Sequence, residues 1–149
     1  MSVSATIEAV PRVRATAELL APREDVWAFL AEPHHLPDWW PGIGGVEPDR
    51  RGLAAGARWQ VRGAGRPTLF RKPYATQALL VRSAARPELV AWHLTGQRLD
   101  VELRLEATTL DRTRATLTLE GPPFSSARRP LARTALERLR ALCQTAAAM

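Results

Sequence analysis

The chain of 149 residues contains one cysteine, one tyrosine, three histidines and, among 21 basic residues, a single lysine at position 72. Lone Cys143 cannot close an internal disulfide, so nothing in the sequence points to an oxidising compartment. No cysteine or histidine spacing suits zinc, and neither a metal nor a cofactor is expected. No stretch approaches the roughly 18 uninterrupted apolar residues that a membrane-spanning helix needs. The first residues, Met-Ser-Val-Ser-Ala-Thr-Ile-Glu, lack a basic segment followed by an apolar run, the mark of a signal peptide. A cytoplasmic protein is expected. Internal repeats, low-complexity linkers and breaks in composition are also missing, which predicts one domain over 1–149 with an ordered core from about 11 to 146.

What is abundant is arginine, giving a net charge of +6. Most arginines fall singly on predicted strands, whereas nucleic-acid binding calls for a clustered stripe with stacking aromatics. Nucleic acid is therefore not an expected partner. Arg128, Arg129, Arg133, Arg138 and Arg140 are predicted to share the polar side of the last helix, the ordinary place for a solvated charged face. A monomer or homodimer is expected.

Alternation of apolar and polar residues marks the strands. Val13, Ala15, Ala17 and Leu19 oppose Arg12, Arg14, Thr16 and Glu18. Val46 marks a weak strand. Ala57, Trp59 and Val61 mark a strong one, and Val90, Trp92 and Leu94 another. From Thr68 to Val81 the pattern is blurred, and Pro73 within it implies an edge, a bulge or a break. Val101, Leu103, Leu105 and Ala107, then Ala115, Leu117 and Leu119, sit on either side of a polar turn at Leu110-Asp111 and read as an antiparallel hairpin.

Helices are signalled at three places. Pro22 suits a first helical position, Glu24 and Asp25 favour the positive helix end, and Pro33 stops the run. A second short helix is predicted from about His34 to Trp40. The third begins near Arg129, capped by Ser125 or Ser126. It buries Leu131, Ala132, Ala135, Leu136, Leu139, Leu142, Cys143 and Ala146 along one stripe. Strand, two short helices, about six strands and a long helix make an α+β chain.

That order, with Ala21 ending the first strand, Trp27 in the first helix, Trp40-Pro41-Gly42 before the second strand, Gly56 to Trp59 opening the third and Asp111-Arg112-Thr113 before the last, resembles the START-like superfamily, also called SRPBCC or birch-pollen-allergen-like. The resemblance covers about Val13 to Ala146. It implies a helix-grip fold, in which a curved six- to seven-stranded antiparallel sheet wraps a long C-terminal helix, with two short helices after strand 1. It also implies an apolar cavity between sheet and helix. Members of the superfamily bind lipids, polyketides, sterols or plant hormones, cyclise or dehydrate polyketides, or act as co-chaperones, and fold alone does not choose among these.

The expected cavity lining comes from the aromatics Trp27, Trp39, Trp40, Trp59, Phe70, Tyr74 and Trp92, from Val61, Leu94, Leu103, Leu105 and Leu117 on strands, and from Ala135 and Leu139 on the helix. Of consecutive Trp39 and Trp40, a helix can aim only one into the core, which leaves the other for the rim. Acid–base chemistry would need an inward titratable group. By alternation every strand carboxylate faces water, which leaves Tyr74, His93, and the spacing of His34 and His35 to Asp38 as weak catalytic candidates. The leading expectation is binding of an apolar or aromatic small molecule such as a lipid or polyketide. A polyketide cyclase/dehydratase-type enzyme is the alternative, and a co-chaperone-like protein-interaction module the third reading.

Overall fold

The computed structural model describes residues 12–64, 76–122 and 128–148. Seven strands, β1 (Arg12–Leu19), β2 (Ile43–Glu47), β3 (Arg58–Gly63), β4 (Thr76–Ala85), β5 (Leu89–Leu94), β6 (Leu99–Thr109) and β7 (Arg112–Glu120), form one antiparallel sheet. Its order is β1-β7-β6-β5-β4-β3-β2. From β2 to β7 each strand pairs with its sequence neighbour. The first strand pairs with the last, so β1 and β2 are the two edges.

Helices α1 (Arg23–Ala31) and α2 (Leu36–Trp39) lie between β1 and β2 in the chain, separated by a 3-10 turn at Pro33–His35, and α3 (Arg128–Ala148) follows the sheet. Pro22 is the residue just before α1 rather than its first member, with extended backbone at φ −60° and ψ 149°. Pro33 forbids continuation beyond Ala31 and opens the 3-10 turn, where the Glu32 carboxylate accepts the His34 backbone N–H. Gly42 supplies the left-handed conformation (φ 85°) that re-aims the chain into β2.

α3 packs mainly over β1 and β7 and touches α2, while α1 rests near β6 and β7. Leu19, Leu94, Leu103, Ala115, Leu117 and Leu119 from the sheet meet Ala132, Ala135 and Leu139 from α3, all with no exposed surface. The three small-to-medium helix residues let the helix axis approach the sheet closely, and each buried leucine contributes about 1.5–3 kcal/mol relative to exposure.

The alternation expected for β1, β3, β5 and β7 is present, with corrections at the ends of elements. Ala107 is exposed, next to the place where the β6–β7 pairing shifts register between Ala107 and Thr109. Ala146 is exposed on the last turns of α3. Arg128 is buried (6% exposed) and does not share the solvated face of Arg129, Arg133, Arg138 and Arg140. The expected caps Ser125 and Ser126, and Pro73, lie outside the described residues.

Candidate ligand site

Trp39 is the last residue of α2, and Trp40 has already left the helix with φ −89° and ψ 117°. That one extended residue turns the second indole back toward the core. Both are buried, at 2% and 1% exposure, so the expectation of one indole at the rim is corrected. The rule that successive helical side chains diverge does not hold across a helix end.

With Trp92 of β5 the two form an edge-to-face triad. Ring centroids are 5.5 Å apart for Trp39–Trp40, 6.0 Å for Trp39–Trp92 and 5.7 Å for Trp40–Trp92. Such contacts add about 0.5–1.5 kcal/mol per pair beyond area burial. The indole N–H groups of Trp40 and Trp92 are buried and find no acceptor among the described residues. By contrast, the Trp59 indole donates to the Gly52 carbonyl at 3.1 Å, which fastens the β2–β3 loop over the core.

Leu30, Leu36, Trp39, Leu53, Trp59, Leu79, Val90 and Trp92 leave between them a space of about 10 Å³, the size of one water. Trp27, Val61, Leu94, Leu103, Leu105, Leu117, Ala135 and Leu139 are buried in the same core cluster. Phe70 and Tyr74 fall outside the described residues. The tryptophans that sequence reasoning assigns to a lining are themselves buried in the core.

A larger apolar space opens on the other side of α1. Leu20, Ala21 and Pro22, the helix residues Val26 and Phe29, and Leu142, Cys143 and Ala146 of α3 line a cleft of about 360 Å³. Asp25 and Asp111 stand on its rim. Its volume lies within the 300–1,000 Å³ of small-molecule sites. α1 is thus a partition: Leu30 faces the tryptophan cluster, whereas Val26 and Phe29 face the cleft. Sequence reasoning missed the cleft because its walls are more than 100 residues apart in the chain. The apolar spacing of Leu142 and Cys143 was visible, but not what they meet.

The candidate catalytic groups are dispersed. His93 faces outward as alternation predicts, with Nδ1 2.9 Å from Asp100 Oδ1 on β6. Neither His34 nor His35 bonds Asp38, so the weak candidate group of the three is not assembled. The α-helical spacing behind it is broken by the 3-10 turn, where His34 Nδ1 lies 2.8 Å from Glu32 Oε1 and His35 Nδ1 2.8 Å from the Phe29 carbonyl oxygen. The His35 ring also stacks on Phe29 at 4.3 Å. Hydrogen bonds from the His34 side chain and backbone hold the Glu32 carboxyl below its ordinary range.

In the cleft, burial raises the Cys143 thiol above its ordinary value, which suits an inert apolar wall rather than a nucleophile. No group of three His, Cys, Asp or Glu residues suited to a metal occurs among the described residues. No helix among them is long and apolar enough to cross a membrane. The arrangement can bind an apolar molecule. It brings together no nucleophile–base pair among the described residues.

Comparison with solved structures places this fold among bacterial proteins of low sequence identity. A protein of Nitrosospira multiformis superposes with a TM-score of 0.68 at 16% identity, covering 93% of this chain and 100% of its own. A protein of Nitrosomonas europaea gives 0.67 at 18% identity, covering 96% and 100%. The Aha1 dimer of Colwellia psychrerythraea gives 0.61 at 14% identity, covering 89% and 93%. No curated protein matches the chain. The family described as "Polyketide cyclase / dehydrase and lipid transport" matches residues 10–147.

Proposed function

Because the chain belongs to the polyketide cyclase/dehydrase and lipid transport family, whose sequence pattern spans residues 10–147, we propose that it binds an apolar or aromatic small molecule in the cleft between α1 and its C-terminal helix. The observation that carries this reading is the apolar cleft of about 360 Å³ between α1 and the last turns of α3. Leucine, phenylalanine, valine and a protonated thiol surround it, so affinity comes from apolar burial, at about 25 cal/mol per Å² removed from water. The two rim carboxylates disfavour an anionic ligand end and favour a neutral or hydroxylated one.

The test is native mass spectrometry of the freshly purified protein, followed by thermal unfolding with a panel of neutral lipids, quinones and polyphenols. A ligand at a hundredfold excess over its Kd stabilises by about 2.7 kcal/mol. Ala146→Trp places an indole across the mouth from an exposed helix position and should cancel that gain without harming the fold. A clean apo mass together with no stabilisation by any member of the panel rejects the reading.

A further inference from the structure

The first strand of the sheet has an open side. β1 bonds β7 in an unbroken register of eight pairs, from Arg12 with Glu120 to Leu19 with Thr113. Its other side receives no backbone hydrogen bond from any described residue. Pairings elsewhere are interrupted by register shifts in β2–β3, β4–β5 and β6–β7. β1 has no bulge or proline over its eight residues, and its edge protection is limited to the charges of Arg12, Arg14 and Glu18 and to the neighbouring α3. The opposite edge, β2, is five residues long, contains a register shift and is packed against α2.

A groove of about 640 Å³ runs along this open side. Every residue from Arg12 to Glu18 lines it, odd and even alike, so its floor is the strand's edge and not one of its faces. The far wall is α3, which contributes Arg129, Arg133, Leu136, Glu137 and Arg140, three guanidinium groups against one carboxylate. Arg12 pairs with Glu120, but Arg14, Arg129, Arg133 and Arg140 form no ion pair among the described residues. The arginine row from position 129 to 140 spans about 16 Å at the helical rise. Arg12 to Glu18 spans about 20 Å at the strand rise. A strand edge and a row of guanidinium groups, both without partners among the described residues, therefore line one slot.

We propose that this groove takes an extended acidic segment of a partner protein, added as an eighth strand beside β1. Its backbone would continue the sheet, and its carboxylates, on alternate residues, would meet the α3 arginines. Main-chain pairing supplies affinity in such additions, and the alternate side chains supply selectivity. Carboxylate–guanidinium pairs add geometric preference. This site is separate from the apolar cleft and does not depend on the small-molecule reading.

The probe is a fluorescein-labelled octapeptide of alternating glutamate and threonine, titrated with the full chain and followed by anisotropy. Binding should weaken at least tenfold between 20 and 300 mM salt, and at least tenfold in the Arg133→Glu/Arg140→Glu variant. Both positions are exposed, so the variant keeps its fold, to be checked by its thermal midpoint. The alternating lysine–threonine octapeptide should not bind.

Two further probes, N-methylated on all glutamates or on all threonines, separate strand pairing from charge alone. Only every second N–H of an added strand bonds its neighbour, so one methylated probe should lose at least tenfold more affinity than the other. Equal affinity for both probes, or no effect of the arginine reversals, overturns the proposal. A chain found by light scattering at twice its 16.4 kDa mass that fails to bind the probe assigns the edge to a second copy, and likewise overturns it.

Discussion

The hydroxyl of Thr113, which has no exposed surface, donates to the carbonyl oxygen of Ala21 at 2.8 Å. This bond joins the start of β7 to the turn where the chain leaves β1 for α1, beside one wall of the apolar cleft. It gives a physical reason for the Asp111-Arg112-Thr113 sequence at that turn. Thr113→Val keeps the shape and removes the donor, and should cost about 1–3 kcal/mol because a buried carbonyl loses its partner. Urea denaturation measures this directly. A loss below about 0.5 kcal/mol would show that the carbonyl is satisfied in another way.

Asp49 acts on a different loop. Its carboxylate accepts the backbone N–H of Arg58 at 2.8 Å and that of Arg51 at 3.0 Å, pinning the β2–β3 connection. These bonds, Arg58's first, hold its carboxyl below the ordinary 3.8. A depressed folded value means that the stabilisation is fully present above about pH 3.8 and is lost as pH falls through the lower, folded value. Asp49→Asn should lack this component of acid sensitivity. Urea midpoints compared at pH 6 and in the acid limb should converge for the two proteins as pH falls. Parallel curves would contradict the assignment.

Cys143 shifts in the opposite sense, since desolvation raises its thiol above the ordinary 9.0. Stability from the neutral thiol is complete below that value and declines as pH rises through the higher folded one. Reaction with a disulfide reagent at pH 8 should therefore be slower than for a free thiol by at least tenfold, and should recover in urea. Leu142→Ala opens the cleft wall and should accelerate it in the native protein. A native thiol as fast as a free one would mean that the cleft wall is not formed in solution.

The tryptophans offer a paired comparison. Trp59→Phe orphans the Gly52 carbonyl as well as leaving a void, whereas Trp40→Phe gives up a donor with no acceptor among the described residues. At similar burial, 3% and 1%, Trp59→Phe should be the more destabilising by about 1 kcal/mol. The reverse order, measured by chemical denaturation, would place an acceptor on Trp40.

Much of the fold was legible because one face of the sheet is dry. Trp59 and Val61, Trp92 and Leu94, and Leu103 and Leu105 announce their strands through a period of two that burial enforces. Reading failed where a local rule ran past its element. Helical spacing extends to Trp40 in the sequence, one residue past the end of α2, and from His34 to Asp38 across what is a 3-10 turn. Arg128 defeats hydropathy for another reason: it stands at the start of α3, close to Gly121 at the end of the sheet, where the chain has not yet reached solvent. The cleft was illegible in principle, since Val26 and Leu142 become neighbours only when sheet and helix have closed on each other.

The pairing of β1 with β7 also has a bearing on how the protein is made. Among the described strands β1 leaves the ribosome first, but its strand partner among them is residues 112–120. Roughly a hundred residues at about 5–20 per second separate the two, so β1 waits on the order of 5–20 s before it can join the sheet. Through that interval the growing sheet from β2 to β6 lacks the strand that will flank β6, and α3 is not yet synthesised. A truncated chain ending before β7 would strand its own beginning, and completion of the domain is a single late event that joins the chain's two ends.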